Sequence, residues 1–220
     1  MPKLLPVIHV TSEEQALENA WLCADAGIEG VFLINHKKNH NHLFRTAEAV
    51  HRVLPSLWLG LNALDLSPEQ VMNKAPEFIR GIWCDNPGLI EDSVGQMEGD
   101  IINKLRVKFT YFGGVAFKYQ EPVLNLAGMS RLAAGYMDVI TTSGEGTGIA
   151  ADVAKIKTIK AAVGGTPLAL ASGVTAENVE SYLPYVEYFL VATGISKSFD
   201  YLCPEKLSEL QSIISGWKAV

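Results

Sequence analysis

Residues 167–179, PLALASGVTAENV, contain a complete strand–turn–helix unit. The apolar run PLALA predicts a buried strand, Ser172 and Gly173 predict a turn, and Thr175 is placed to cap a following helix. Residues 187–198, EYFLVATGISKS, repeat this order of strand, small hydroxyl residue, glycine and helix start. A strand joined by a short turn to a helix is the building unit of α/β folds.

The same unit recurs along the whole chain of 220 residues. Eight apolar runs predict strands at 4–10, 30–35, 57–62, 78–84, 109–117, 137–142, 167–172 and 187–193. Amphipathic stretches lie between them, and two carry capping signals, Ser12 with Gln15 and Ser67 with Gln70. Eight strands alternating with eight helices predict one (β/α)8 barrel domain over residues 1–220. An open doubly wound sheet is the alternative, but the first strand ends at His9 without the glycine-rich dinucleotide turn typical of such sheets.

Composition and charge exclude several classes of protein. Hydrophobic residues make up 48% of the chain and charged residues 19%, and the net charge is −6 without a basic stripe, so nucleic acid is not expected as a partner. The cysteines, Cys23, Cys84 and Cys203, are far apart and indicate a reducing compartment. No apolar run approaches the roughly 18 residues of a membrane helix. We expect a cytoplasmic protein without membrane insertion, and leave open whether it forms a homo-oligomer.

Polar residues end almost every predicted strand, which a purely structural barrel would not require. In (β/α)8 barrels the functional residues lie at these C-terminal ends. In chain order, the strand ends are His9; Asn35 and His36; Asn62; Asp85 and Asn86; Lys118; Thr142 and Ser143; Ser172 and Gly173; Thr193 and Gly194. The pattern predicts a ligand site at the C-terminal mouth of the barrel.

The last two strand ends predict a phosphate site. Backbone N–H groups of these loops commonly bind phosphate in barrels, and glycine lets the backbone approach the anion. The residues expected to contribute are Ser172, Gly173, Gly194, Ile195 and Ser196. The alternative is that Gly173 and Gly194 only form tight turns.

A glycine-rich loop, GEGTG, follows the sixth strand. It is not a Walker loop, because no Gly-Lys-Ser/Thr follows, and Glu145 would repel a phosphate. We therefore expect Ser143, Gly144, Glu145 and Gly146 to contact hydroxyl groups of the ligand, and Asn35 and Asn62 to contribute further polar contacts. A flexible lid without ligand contact is the alternative.

Three strand ends carry the candidate catalytic groups. Asp85 and His9 are the acid–base candidates, since a carboxylate and an imidazole could face each other across the mouth. Lys118 could pair with an anion or form a Schiff base, or it could be a solvated lysine on the rim.

The segment from Asn35 to His42 contains His36, His40 and His42. Metal binding is one interpretation. No acid or cysteine is expected near the segment, and two lysines within it would repel a cation, so we favour a mobile polar loop and expect no metal or other cofactor.

Several of these segments together resemble the BtpA/SgcQ family of barrel proteins, named partly for a photosystem I biogenesis factor. The similar segments are VIHV around His9, GIEGVFLIN before His36, LGLNAL around Asn62, FIRGIWCD, GGVAFK up to Lys118, DVITTSGEGTG and ASGVTAENV. The sequence departs from the family pattern at Thr11–Leu17, where a proline-rich turn is usual, at Ile34 in place of an acid, and at Ala116 in place of a histidine.

Three functions remain open at this point. The first is an enzyme, such as an isomerase, lyase or transferase, that acts on a small phosphorylated molecule, either a sugar phosphate or a nucleotide. The second is a non-catalytic assembly or regulatory factor, as the family name implies. The third is a metal-dependent hydrolase that uses His9 or the histidine segment.

Overall fold

The computed structural model describes residues 1–89 and 106–218 of the chain. Eight parallel strands close into a barrel, each pairing with its neighbour in the chain and β8 pairing with β1. The strands are β1 Lys3–His9, β2 Gly30–Ile34, β3 Trp58–Asn62, β4 Gly81–Cys84, β5 Thr110–Gly114, β6 Val139–Ser143, β7 Leu168–Ala171 and β8 Tyr188–Val191. The predicted (β/α)8 barrel is confirmed at all eight strands, and the alternative prediction of an open doubly wound sheet is wrong.

Six α-helices surround the barrel in the described part of the chain. They are α1 Glu13–Asp25, α2 His40–Val53, α3 Pro68–Lys74, α4 Leu126–Ala134, α5 Val153–Val163 and α6 Pro204–Gly216. Both predicted caps are present: Ser12 accepts from the Gln15 N–H, and Ser67 and Gln70 form a capping box. The helix expected after the fourth strand lies outside the described residues. Within them, no helix has the length and hydropathy to span a bilayer.

The segment after β7 differs from the prediction. In place of an α-helix capped by Thr175, it contains a short 3-10 turn, Val179–Ser181. The Asn178 side chain accepts from the Thr175 N–H at 2.9 Å and donates to the Gly173 carbonyl at 2.8 Å. Pro184, which cannot donate a helical hydrogen bond, follows within one turn. The asparagine and the proline together stop the expected helix.

Strand five is shorter than predicted because the chain turns after Gly114. Ala116 and Tyr119 have left-handed backbone conformations, with φ of 46° and 66°. An L-residue adopts this region only where surrounding contacts hold it. Lys118 therefore lies in the loop after β5, and its expected place at the strand end is wrong.

Aromatic side chains fill the barrel interior below the mouth. Phe32 lies at the centre, with ring centroids of Trp58, Trp83 and Phe112 at 5.4, 5.7 and 5.1 Å, all edge-on. Tyr188 extends the cluster from Phe112 at 5.3 Å. Edge-to-face packing of this kind adds to the free energy of burial. These rings fill the interior beneath the strand ends that carry the predicted site.

Candidate active site at the C-terminal mouth

Asn62 and Asp85 form a hydrogen-bonded pair on neighbouring strands. Asn62 ends β3, and Asp85 follows the last residue of β4. The Asn62 side chain is 1% exposed, and its Nδ2 donates to Oδ1 of Asp85 at 2.9 Å. Burial raises the pKa of Asp85, while the Asn62 hydrogen bond and the charge of Lys118 act against this. The result is an oriented carboxyl group whose raised pKa suits proton transfer.

His9, the last residue of β1, is a neutral hydrogen-bond acceptor. Its Nδ1 lies 3.1 Å from the carbonyl oxygen of Phe199. Because a carbonyl oxygen can only accept, Nδ1 carries the proton and Nε2 presents a lone pair. Burial lowers the pKa of His9 to about 4, and the nearby His36 and Lys118 act in the same direction. At neutral pH the imidazole is therefore uncharged.

His36 joins His9 rather than the other histidines of its segment. The His36 and His9 ring centroids are 4.7 Å apart with an edge-on orientation. Burial and the charge of Lys118 lower the pKa of His36, while Asp85 raises it. His40, by contrast, reaches the carboxylate of Asp65 at 2.7 Å near the start of α2. The expectation that no acid lies near this segment is therefore wrong.

The three predicted histidines are thus divided between two places. Within residues 1–89 and 106–218, no three His, Cys, Asp or Glu side chains are grouped closely enough to hold a metal ion.

Lys118 faces these groups from the loop after β5. Its backbone N–H donates to Ser143 Oγ at 2.8 Å, and its Nζ donates to Thr147 Oγ1 at 3.3 Å. Its positive charge contributes to the pKa shifts of His9, His36 and Asp85. The ammonium group is thus brought to the side of the mouth that carries the other titratable groups.

Two residues that the sequence analysis missed hold this loop. Gln120 donates from Nε2 to the Asp85 carbonyl at 2.7 Å and accepts from the Phe117 N–H at 3.0 Å. Lys155, half-buried in the first turn of α5, donates to the carbonyls of Ala116 and Ser143. Burial lowers the pKa of Lys155. A lysine near a helix N-terminus opposes the helix dipole, and that mismatch was the available signal.

The loop also places Phe117 inside the top of the barrel. Phe117 is buried, and its ring centroid lies 6.0 Å from that of Trp83. The side chain caps the aromatic interior beneath the site. A buried residue directly before Lys118 restricts where the lysine can move.

The loops after β6, β7 and β8 pack together through their backbones. A Cβ at Gly173 would lie 2.1 Å from the Ile149 carbonyl oxygen, and one at Gly194 would lie 1.9 Å from the Val174 carbonyl oxygen. Gly173 also has a φ of 71°. Both glycines are therefore required by loop packing, whether or not a ligand approaches them.

Ser172 links two of these loops. It has a φ of 72°, unusual for a residue with a side chain. Its Oγ accepts from the Gly148 N–H at 2.9 Å and donates to the Gly146 carbonyl at 3.3 Å. These bonds fix the glycine-rich loop against β7.

The start of the 3-10 turn after β8, Thr193–Ile195, leaves two N–H groups outside its own bonding pattern. The first N–H that the turn uses is that of Ile195, which donates to the Ala192 carbonyl at 3.0 Å. The N–H groups of Thr193 and Gly194 precede it. Ile195 is buried and its N–H is bonded, and the Ser196 hydroxyl donates to Ala192. Of the predicted phosphate contacts on this loop, Gly194 is the best placed.

Two other predicted contacts have structural partners. Ser143 is fully buried, and its Oγ donates to the Gly144 carbonyl at 2.8 Å. The Asn35 amide donates to the Val10 carbonyl at 2.8 Å and accepts from the Asn39 N–H at 3.1 Å. Asn35 thereby shapes the loop that carries His36. Glu145, in contrast, is exposed on the rim.

Solved structures of barrel enzymes resemble this chain. A phosphoribosyl anthranilate isomerase from Thermus thermophilus has a TM-score of 0.70 and 17% identity, covering 98% of this chain and 100% of that one. An orotidine 5′-monophosphate decarboxylase from Methanocaldococcus jannaschii has a TM-score of 0.71 and 15% identity, and the match covers 97% of this chain and 99% of that one. A thiamine phosphate pyrophosphorylase from Pyrococcus furiosus has a TM-score of 0.67 and 11% identity, and the match covers 97% of this chain and 96% of that one. At these identities the likeness establishes the fold alone.

Sequence comparison identifies the family. No curated protein sequence matches the chain. The BtpA family model matches residues 60–203, which include the end of β3, all of β4 to β8 and the residues from Asn62 to Ser196 at the mouth. The chain belongs to the BtpA family.

Proposed function

We propose that this protein is an enzyme that binds a small phosphorylated metabolite at the mouth of the barrel and transfers a proton on it, as an isomerase or a lyase. One observation carries the proposal. Asp85, oriented by Asn62 and with a raised pKa, lies in the same electrostatic cluster as Lys118 and two imidazoles of lowered pKa.

The roles follow from the chemistry of each group. The Asp85 carboxylate is the general base that removes a proton from a carbon next to a carbonyl or hydroxyl group. The Lys118 ammonium stabilises the negative charge that then develops on the substrate oxygen. The lone pair on His9 Nε2 accepts a hydrogen bond from a substrate hydroxyl and so orients it.

The opposite side of the mouth would bind the phosphate group. The N–H groups of Thr193 and Gly194 point to this role, since both precede the first hydrogen bond of the turn. The three similar enzymes carry phosphorylated compounds in their names, which supports the same ligand class here. Glu145 would repel the phosphate and is better suited to sugar hydroxyls. Both a sugar phosphate and a nucleotide fit this division of the mouth.

Thermal stabilisation by inorganic phosphate, sugar phosphates and nucleotides tests the proposal. At a hundredfold to a thousandfold excess over its dissociation constant, a ligand should add about 3–4 kcal/mol of stability. Thr193→Glu places a carboxylate at the proposed phosphate position without entering the glycine packing, because Thr193 is exposed. We expect it to lower phosphate-ligand affinity at least about tenfold, the effect of one unfavourable charged contact.

Thr158→Glu, the same change on the exposed face of α5, is the matched control and should bind like the wild type. Equal binding by Thr193→Glu and the wild type would refute the phosphate position. No stabilisation by any phosphorylated compound would refute the enzyme proposal and favour the assembly-factor interpretation.

We also propose a cytoplasmic location. Cys23, Cys84 and Cys203 are all free thiols, which suits a reducing compartment. A homo-oligomer remains a prediction that sedimentation analysis would test.

A further inference from the structure

Phe199 has no role in the chemistry above, yet it lies at the centre of the site. It belongs to the loop between β8 and α6, and its ring centroid is 4.4 Å from that of His9 and 5.5 Å from that of His36. The residue is 58% exposed. A single exposed aromatic residue is common on protein surfaces, so exposure alone carries no inference. The inference comes instead from the way in which neighbouring side chains hold the loop of Phe199.

Side chains of β1 and α1 fix the backbone around Phe199. The Phe199 carbonyl accepts from His9, and the next carbonyl, that of Asp200, accepts from both Gln15 and Asn19. Asn19 also accepts from the Leu202 N–H at 3.0 Å. Gln15 and Asn19 are 4% and 3% exposed. Two buried amides are therefore committed to one short turn, and burying such groups is favourable only when they are bonded.

The anchored turn holds the Phe199 ring at the mouth beside the two imidazoles. The ring and the two imidazoles form an aromatic cluster. Burial lowers the pKa of both imidazoles, that of His9 to about 4, and so disfavours their charged forms. An uncharged aromatic surface binds planar rings by stacking and gives a sugar chain much less contact.

We infer that Phe199, with His9 beside it, is a stacking platform for a planar aromatic or heteroaromatic ring of the ligand. This inference rests on the proposed function and narrows its ligand class to phosphorylated compounds that carry such a ring, as nucleotides do. A ring N–H or exocyclic amino group can donate to Nε2 of His9, which the Phe199 carbonyl keeps as an acceptor. Open-chain sugar phosphates leave the platform uncovered.

Calorimetric titration with matched probes tests the platform. The probes are ribose 5-phosphate, uridine 5′-monophosphate and adenosine 5′-monophosphate, together with the unphosphorylated nucleosides uridine and adenosine. The proteins are the wild type, Phe199→Ala and the conservative variant Phe199→Tyr. Trp21→Ala is the control, since Trp21 is another exposed aromatic residue, on the surface of α1.

The wild type should bind at least one nucleotide roughly tenfold more tightly than ribose 5-phosphate. Phe199→Ala should weaken nucleotide binding roughly fivefold or more, as the loss of one stacking contact predicts, and leave ribose 5-phosphate affinity within about twofold. Phe199→Tyr and Trp21→Ala should behave like the wild type. An unchanged melting temperature in Phe199→Ala would show that the fold is intact.

The outcomes separate this inference from the proposed function. Suppose that ribose 5-phosphate binds and that Phe199→Ala leaves the ratio of nucleotide affinity to ribose 5-phosphate affinity unchanged. The platform is then refuted, while the phosphate proposal stands. If no phosphorylated probe binds, the proposed function fails, and the binding of the nucleosides then tests the platform by itself. Binding of a nucleoside that depends on Phe199 would still support the platform, and no nucleoside binding would overturn it.

Discussion

His9 and Asp85 show how one physical effect acts in opposite directions on a base and an acid. Burial disfavours the charged form of each, so it lowers the pKa of the imidazole and raises that of the carboxyl group. Both shifts favour the uncharged forms of the two side chains. Residue type and position at a strand end singled out each of these two side chains, and the imidazole that acts on the pKa of Asp85 is that of His36 rather than that of His9. The partners that orient them, Phe199 and Asn62, were not predictable as such, because the pairing depends on three-dimensional distance.

The low pKa of His9 predicts an acid-sensitive fold. The unfolded chain takes up a proton at this residue near pH 6.5, whereas the folded protein does so only near pH 4. Stability should therefore fall as the pH drops from 6.5 to 4 and level off below. For a fully buried group this difference would be worth about 3 kcal/mol, and we expect about 2 kcal/mol for a partly exposed ring.

Urea unfolding of the wild type and His9→Asn between pH 7.5 and 4 measures this effect. The variant should lose less stability across the interval, although His36, which shifts in the same direction, will leave part of the slope. Parallel curves for the two proteins would contradict the prediction.

Asp85→Asn should separate stability from activity. The raised pKa shows that the ionised form is disfavoured in the fold, so its cost is present above the folded pKa and disappears as the pH falls below the ordinary value of 3.8. We expect the variant to gain stability at pH 7 while losing turnover, a trade-off common at functional sites. Thermal denaturation at pH 7 and pH 4 would check this, because the gain should shrink at the lower pH. A destabilised variant would argue for a purely structural role of the carboxylate.

Gly173→Ala tests the packing of the glycine loops. The new methyl group would meet the Ile149 carbonyl, and the φ of 71° would be strained, so we expect a loss of about 2–4 kcal/mol. Gly148→Ala is the matched control: its φ is 76°, but nothing lies within 4 Å of the added methyl group. It should lose only about 1 kcal/mol. Equal losses in chemical denaturation would show that the loop contact contributes nothing.

Among the elements, local sequence patterns identified all eight strands, but they predicted neither the end of β5 nor the 3-10 turn after β7. In both cases a side chain binds backbone groups that the local pattern does not include. Gln120 reaches the Asp85 carbonyl, 35 residues away, and Asn178 reaches back to Gly173. Periodicity describes a face of a strand or helix, so it carries no information about such bonds. Lys155 and Gln120 were missed for the same reason.

The loop after β5 should depend on Gln120 more than on any exposed neighbour. Gln120→Ala leaves the Asp85 carbonyl and the Phe117 N–H without this partner, which should cost about 1–3 kcal/mol. Hydrogen exchange of the loop amides should accelerate, and turnover should fall because Lys118 loses its position. Glu121→Ala, one residue further and exposed, is the control and should change neither. Slow exchange retained in Gln120→Ala would show that other contacts suffice.

At the scale of the whole molecule, the family match covers a shorter range of residues than the closed barrel. The match covers residues 60–203, whereas the barrel closes only through β1 and β2, which precede it. Gln15 and Asn19 of α1 also hold the Phe199 turn from outside the matched region. The family segment therefore contains most of the mouth but not a closed sheet.

A fragment of residues 60–203 should not unfold cooperatively, because removal of β1 and β2 leaves two open sheet edges. The full chain should show one transition in which circular dichroism and tryptophan fluorescence coincide, as a single domain requires. A cooperative transition in the fragment would show that the matched region folds by itself.

The bond between His9 and Phe199 joins positions 190 residues apart, and this separation has a consequence for synthesis. At the usual rate of translation, about 10–40 s pass between the emergence of the two residues from the ribosome. During that interval β1 has no β8 to pair with, and the His9 ring remains in water with an ordinary pKa. A nascent chain that stops before Phe199 thus carries most of the family sequence, but its His9 lacks both the carbonyl partner that orients the ring and the burial that lowers its pKa. The surroundings of His9 are complete only when the loop after β8 has left the ribosome.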